Sequence, residues 1–254
     1  MVGREKPEDR INNLLKKIMV KANYKKPKIS EIVSVISHQL KTPISVIKGY
    51  LEALISGDCG EINSFQREYL SDALENVKRT SDFIENILDI SRIENNKFEV
   101  EQKPVALGEI IQQILVDYSV WIVAHNCEID FKKPENLPKV LTDPYKISQV
   151  IQNLITNAIA YKKGRGKIQI TLRQKGKDVV FTCKDNGVGI PKKDFKKVFS
   201  KFYRSEKSID LNPSGSGLGL YINKAIVELS GGRIWFSKNK EGGMTFYFSL
   251  PSAN

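Results

Sequence analysis

Cysteine and histidine are scarce in this chain, and their scarcity removes whole classes of function. The three cysteines, Cys59, Cys127 and Cys183, lie far apart with no CxxC spacing, and the only histidines are His38 and His125. A structural zinc site draws four ligands from closely spaced pairs of such residues, so none is expected. An odd, dispersed set of thiols also speaks against a disulfide framework and for a reducing, cytoplasmic setting. There is no apolar run near 18 residues and no signal-peptide pattern, so no membrane span is expected. Nor is there a GxxxxGK(S/T) phosphate loop, an internal repeat or a low-complexity tract.

The 254 residues suffice for one large or two ordinary domains, and a hydrophobic fraction of 41% allows a sizeable core. Forty Lys and Arg against 29 Asp and Glu leave a formal charge of +11. That excess suits nucleic acid, anionic lipid or a phosphate ligand, and charge alone does not choose among them.

Around His38 the apolar residues Ile29, Val33, Ile36, Leu40, Pro43, Ile47, Tyr50 and Leu54 recur in alternating steps of four and three. Such a seam predicts a helix that packs on other helices, from near Ser30 to about Ser56, with His38 opposite the seam and facing solvent. Pro43 has no N–H for the carbonyl of Gln39, so a bend or loosening is expected one turn after the histidine. Gly57-Asp58-Cys59-Gly60 supplies a turn, and Leu70, Leu74, Val77, Ser81, Ile84, Leu88 and Ser91 repeat the seam over a second helix, roughly Ser64 to Glu94. A lone hairpin leaves part of these stripes wet, so pairing of two copies into a four-helix bundle is expected. Ahead of it, residues 1–28 read as a connector helix or a solvated leader.

After a polar connector, Pro104 opens a second domain in which helices and strands mix. Helices are predicted over Ala106–Ala124, Pro144–Tyr161 and Gly217–Ser230. Strands are predicted at Glu128–Phe131, Lys139–Thr142, Lys167–Arg173, Val179–Lys184, Arg233–Ser237 and Thr245–Leu250. The pattern suggests an α+β sandwich with a mostly antiparallel sheet and helices on one face. The domains are thus expected at 1–28, 29–97 and 104–254.

Four short motifs of this domain carry possible chemistry. Asn153 and Asn157 share one helix face, where they either meet solvent or offer a carboxamide oxygen to a hard cation. Asp185-Asn186-Gly187-Val188-Gly189 follows a strand, so backbone can approach a ligand while the carboxylate accepts from an amine. Gly215-Ser216-Gly217-Leu218-Gly219 opens a helix whose first N–H groups suit a polyphosphate, although each glycine cluster could equally be an ordinary turn. Between them Lys192 to Pro213 mixes lysines with Phe199, Phe202, Tyr203 and Arg204, the composition of a lid, a disordered loop or a surface that stacks single-stranded nucleic acid.

Ser37-His38-Gln39-Leu40-Lys41-Thr42-Pro43-Ile44 resembles the phospho-accepting box of two-component sensor histidine kinases. The four later motifs, in this order, resemble the N, first-glycine, phenylalanine and second-glycine boxes of the family's catalytic domain, a branch of the GHKL ATPases. The likeness runs from about Ser30 to Pro251. It implies that His38 accepts the γ-phosphoryl of ATP, that Asn157 binds Mg²⁺ with Asn153 facing the phosphates, and that Tyr161 lies near the base or ribose. Asp185 would recognise the adenine amine, supported by Gly187 and Gly189. Arg204 would reach the γ-phosphate, while Gly215, Gly217, Leu218 and Gly219 form the lid hinge and phosphate cradle. Thr42 matches the position that orients water when such enzymes dephosphorylate a partner.

Two positions depart from the family. Gln39 replaces the usual carboxylate after the histidine, and Ala160 stands where a basic residue is usual, a place that Lys162 or Lys163 could fill. The resemblance implies a homodimeric kinase core that phosphorylates a separate response regulator receiver domain, with an upstream sensor module outside this chain. Alternatives are a phosphatase-biased or degenerate member, a GHKL ATPase acting as a conformational switch, and a nucleic-acid binder. The phospho-acceptor box disfavours the last two.

Overall fold

The computed structural model describes residues 29–213, 215–240 and 242–253, apart from the side chains of residues 29–32, 34, 35 and 38. The expected leader at 1–28 lies outside the described residues. The chain divides into two compact units that meet at Asn95 and Asn96.

The first unit is a hairpin of α1 (Ile29–Ser56) and α2 (Ser64–Glu94). Between them Gly57 and Gly60 take φ of 92° and 111°, which side chains rarely adopt. A capping box starts α2: Gln66 N donates to the Asn63 side chain at 2.8 Å, and Asn63 N donates to Gln66 Oε1 at 2.9 Å. Arg67 Nη1 reaches back to the Ile55 carbonyl at 2.8 Å and satisfies an orphan acceptor in the last turn of α1. α1 stays helical through Pro43, where the sequence predicted a loosening. Ser45 Oγ donates to the Lys41 carbonyl at 2.9 Å just past the histidine, and Lys41 Nζ pairs with Glu85 Oε1 of α2 at 2.8 Å. Packing along α2 outweighs one missing N–H.

The predicted seam of α1 needs a correction. Its ends Val33 and Leu54 are half-buried as expected, but between them the covered positions within one chain are Ser37, Ile44, Lys48 and Leu51, one step round the helix. Ile36, Leu40, Ile47 and Tyr50 remain 53, 45, 48 and 69% exposed. On α2 every predicted seam residue is at least half-buried.

The second unit has a sheet of order β2-β4-β5-β7-β6, formed by β2 (Cys127–Lys132), β4 (Gly166–Lys175), β5 (Asp178–Lys184), β6 (Arg233–Lys238) and β7 (Met244–Pro251). Only β2 and β4 run parallel. β1 (Lys103–Val105), which was not predicted, pairs antiparallel with β3 (Val140–Thr142). The predicted helix over Ala106–Ala124 is two helices, α3 (Leu107–Asp117) and α4 (Ser119–Ala124), broken at Tyr118.

One face of the sheet is covered by α5 (Pro144–Ala160) on β4 and β5 and by α7 (Gly219–Leu229) on β6 and β7. Asp143 caps α5 by accepting from Tyr145 N and Lys146 N, with Pro144 at the position where a missing N–H costs nothing. From α5, Ile147, Val150, Ile151, Leu154, Ile155, Ala158 and Ile159 enter the core, and Ile168, Ile170, Leu172, Val179, Phe181 and Phe248 meet them from the sheet. The Phe181 and Phe248 rings stack 4.7 Å apart at this centre. Burial holds the core thiol of Cys183 far above the usual range, so it behaves as a small hydrophobe.

Candidate active site

In the hairpin, His38 occupies an α-helical position on α1, and its predicted orientation toward solvent lies outside the described side chains. Gln39 is exposed beside it, and Thr42 is exposed one turn further along the same unbroken helix. The preceding Ser37 is 4% exposed.

In the second unit the predicted motifs converge where the C-terminal half of α5, the end of β5 and the first turn of α7 meet. Asp185, just past β5, is held by its surroundings. Its Oδ1 accepts from Gly187 N at 2.8 Å and Met244 N at 3.0 Å, and its backbone carbonyl accepts from Asn239 Nδ2 at 2.8 Å. Both side-chain bonds fall on Oδ1, which leaves Oδ2 as a ready acceptor for a ligand. The residue is 9% exposed. Burial pushes its carboxyl above the usual range, against the two backbone hydrogen bonds that lower it.

Two glycines make this clamp possible. A Cβ on Gly187 would lie 2.5 Å from the Tyr161 carbonyl oxygen, and one on Gly243 would lie 2.2 Å from the Asp185 carbonyl oxygen. Val188 N donates to the Tyr161 carbonyl at 3.0 Å, so the turn after Asp185 is stitched to the end of α5. The half-buried Tyr161 caps α5, and its carbonyl is the acceptor that meets this turn.

Asn153 and Asn157 are half-buried on the α5 face toward α7 and are linked, with Asn157 Nδ2 donating to Asn153 Oδ1 at 3.0 Å. Asn153 Nδ2 donates in turn to Asn223 Oδ1 of α7 at 3.1 Å. A Cβ on Gly219 would meet Asn153 Nδ2 at 2.3 Å, so only glycine lets α7 begin this close to α5. Among the described residues no side chain caps the first turn of α7. Its N–H groups are therefore available to an anion.

The candidate lid, Lys192 to Pro213, contains a 3₁₀ turn (Lys192–Lys197) and α6 (Glu206–Leu211), which was not predicted. Phe195 and Phe199 pack on Phe236 with ring centres 5.1 and 5.8 Å apart, so they anchor the lid to the sheet. Phe202 is 60% exposed and holds φ of 58°, a strained value for a bulky residue. Arg204 is not extended toward a phosphate site. Its guanidinium donates to the carbonyls of Ser208, Asn212 and Pro213, and it lies 3.4 Å from where a Gly215 Cβ would stand. Gly217, at φ of 70°, lets the strand of lid at Phe202 and Tyr203 pass directly over it. Lys162 donates to the Gly164 carbonyl, and Lys163 is exposed beyond it.

Asn223 and Asn239 belong to this site although no motif pointed to them, and Gly243 joins them. Asn223 could have been suspected as a lone carboxamide within the apolar stripe Ile222, Ile226 and Val227. Among the described residues no cluster of three His, Cys, Asp or Glu could hold a metal ion, and no helix is long and apolar enough to cross a membrane.

Comparison with known proteins agrees with this geometry. Residues 28–96 match the His Kinase A (phospho-acceptor) domain, and residues 142–254 match the histidine kinase-, DNA gyrase B- and HSP90-like ATPase domain. The sensor protein kinase WalK of Staphylococcus haemolyticus is 30% identical over 223 residues, 87% of this chain, and the chain spans only 36% of that relative's length. Full-length ShkA, crystallised with AMPPNP, shares the fold with a TM-score of 0.71 at 22% identity, over 88% of this chain and 46% of ShkA. The catalytic domain of histidine kinase ThkA is 30% identical with a TM-score of 0.54, over 60% of this chain and 96% of that domain. ThkA crystallised with the response regulator protein TrrA is similar over 97% of this chain and 66% of that one, with a TM-score of 0.59 at 24% identity. A phospho-acceptor hairpin followed by an ATPase sandwich, each matched in its own right and in this order, places the chain in the sensor histidine kinases, as a catalytic core of that family.

Proposed function

We propose that the chain moves the γ-phosphoryl group of ATP onto His38 and then to an aspartate of a separate response regulator receiver domain. The observation that carries the nucleotide half is Asp185. Its Oδ1 is committed to two backbone N–H groups, which aims Oδ2 at a donor such as the exocyclic amine of adenine. Tyr161 borders the base, and Gly187 and Gly189 let the backbone come close.

Phosphoryl transfer asks the protein chiefly for positioning and charge neutralisation. The first turn of α7 and the glycines Gly215, Gly217 and Gly219 would cradle the phosphates. Asn157 fits Mg²⁺, because a carboxamide oxygen is a hard ligand that suits this ion when phosphate and water complete the shell, and Asn153 beside it would face the phosphates. That ion would neutralise charge on the β- and γ-phosphates. Arg204 would add positive charge at the γ-phosphate after releasing the lid carbonyls it now holds. The imidazole nitrogen of His38 attacks phosphorus, the bond from phosphorus to the β–γ bridging oxygen breaks, and ADP leaves. Nδ1–H stays on the ring during attack, and Gln39 can accept a hydrogen bond from it but cannot remove its proton. Thr42, exposed one turn on, suits a water that later attacks the phosphorylated partner, so a phosphatase activity toward the regulator is included in the reading.

The chain would act as a homodimer. The exposed Ile36, Leu40, Ile47 and Tyr50 form the stripe that a second hairpin would bury. Phe195 and Phe199 are packed on the sheet, which favours a nucleotide lid over a base-stacking surface for nucleic acid. Incubation with γ-labelled ATP tests the proposal. The expected product is acid-labile and base-stable, as phosphohistidine is, and His38→Ala abolishes it while nucleotide binding survives. Label retained at the parent level in His38→Ala would overturn the assignment.

A further inference from the structure

Asn223 sits in the middle of α7 on its core-facing stripe and is 1% exposed. A carboxamide so deeply buried must be hydrogen-bonded, and its orientation is then set by its partners. Its Nδ2 lies 3.5 Å from the Val150 carbonyl. A carbonyl only accepts, so the NH₂ end must face Val150 and Oδ1 must face the other way. That oxygen accepts from Asn153 Nδ2, which turns Asn153 Oδ1 toward Asn157, and Asn157 Nδ2 donates to it. Each amide spends its donor inward, toward Val150. The outer end of the chain is therefore Asn157 Oδ1, an acceptor. If the first amide were reversed, the order of donors would reverse and an NH₂ group would end the chain, which no cation accepts as a ligand.

We infer that Asn223 is a positioning residue for the divalent-cation site: anchored on the Val150 carbonyl, it orients Asn153 and, through it, holds the Asn157 oxygen in the state that binds the metal accompanying ATP. The inference rests on the reading that Asn157 holds this metal. α7 contributes a second constraint, since its Gly219 backbone presses on Asn153 closely enough to exclude any Cβ. The phosphate-cradling helix and the metal-binding helix are thus joined by one directional chain of three carboxamides.

The test measures binding of a fluorescent ATP analogue as Mg²⁺ is titrated, alongside its affinity in EDTA. Asn223→Leu keeps the volume but removes the amide, and Asn223→Ser keeps a polar group too short to bridge, so one can decide if the other fails to fold. Partners that orient metal ligands typically contribute about 10–100-fold to metal affinity, and an effect relayed through one intermediate should fall near the low end, about tenfold in the Mg²⁺ half-saturation. Affinity in EDTA is expected to stay unchanged, a split that loss of packing alone would not produce. Asn153→Ala combined with Asn223→Leu is expected to be no worse than Asn153→Ala alone, as residues acting in series require. An unshifted Mg²⁺ half-saturation in the Asn223 variants, with a raised one in Asn157→Ala, would overturn the relay and leave the metal assignment standing. An unshifted value in Asn157→Ala would sink the metal assignment and the relay with it. Equal losses with and without Mg²⁺ in the Asn223 variants would reduce Asn223 to a structural residue.

Discussion

Asp185→Asn should separate what this residue does for the fold from what it does for the ligand. The new amide cannot choose its orientation, because Gly187 N and Met244 N both donate to the Oδ1 position. Its oxygen must stay there, so the NH₂ group takes the place of Oδ2 and points a donor at the ligand. A hydrogen bond to a charged acceptor is worth about 1.5–3 kcal/mol, which corresponds to about 10- to 150-fold in Kd. Two donors then face each other, so the loss of ATP affinity should reach at least the middle of that range. Inosine triphosphate carries a carbonyl where adenine carries its amine, so it should gain the bond that ATP loses, and the preference between the two should reverse. Stability should move the opposite way. Burial raises the Asp185 carboxyl above its unfolded value. Its contribution is then full below the ordinary carboxylate range and is lost as pH rises through the raised value. Once deprotonated, the parent carries a buried charge that the variant lacks, so Asp185→Asn should melt higher above the raised value, and the difference should close as the pH falls into the ordinary carboxylate range. Calorimetric titration with both nucleotides, paired with melting curves across pH, checks both halves. An unchanged ATP-to-ITP preference in a folded variant would refute the assignment of Oδ2 to the base.

Gln39→Glu is expected to speed single-turnover labelling of His38 by about tenfold at saturating ATP, the low end of general-base assistance on an exposed residue; an equal or slower rate would mean that the carboxamide is adapted to its place. Gly187→Ala must displace the Tyr161 carbonyl or Asp185 itself, so a loss of about 1–3 kcal/mol in stability is expected, together with weaker nucleotide binding. Melting and displacement assays that both match the parent would show that the turn has room to move. Leu40→Glu with Ile47→Glu places charge on the exposed stripe of α1, and light scattering should report a monomer whose helical circular dichroism is kept. A dimer of undiminished affinity would move the interface elsewhere.

Much of the fold was legible because its boundaries carry local chemistry. Gly57 and Gly60 end α1, Asn63 and Gln66 start α2, and Asp143 with Pro144 starts α5. Alternation places β4 and β5 within a residue or two of their observed ends. What escaped lacks such chemistry. The break at Tyr118 falls in Val116-Asp117-Tyr118-Ser119, where neither glycine nor proline marks it. β1 is three residues long and exists only through its pairing with β3, 35 residues further on at its nearest point. Helical spacing finds a stripe but not its partner, which is why the α1 seam was assigned to packing that one chain does not provide. Ile36, Leu40, Ile47 and Tyr50 are apolar for a surface that a single chain leaves open.

The site divides along the same line. Asp185, Asn157 and the glycines were legible because turn chemistry and residue type combine at short spacing. Asn223, Asn239 and Gly243 act across 70, 54 and 58 residues of sequence on Asn153, on Asp185, and on Asp185 again. No short motif can show such pairs, since only the closing of the sheet and the packing of α7 on α5 bring them together. Their cost in the sequence is still visible. An asparagine among Ile222, Ile226 and Val227 gives up apolar burial on a core-facing helix, and a Gly242-Gly243 pair gives up side-chain packing at the mouth of a strand. A local loss of this kind persists in a folded chain when something distant depends on it, and here both losses serve residues of the candidate site. The carboxamide of Asn223 ties α7 to α5, and Gly243 lets β7 come close enough to hold Asp185 on one oxygen. The residues that looked weakest for folding are therefore the ones that leave an acceptor oxygen free on Asp185 and another on Asn157, the two groups that the proposed nucleotide site would use.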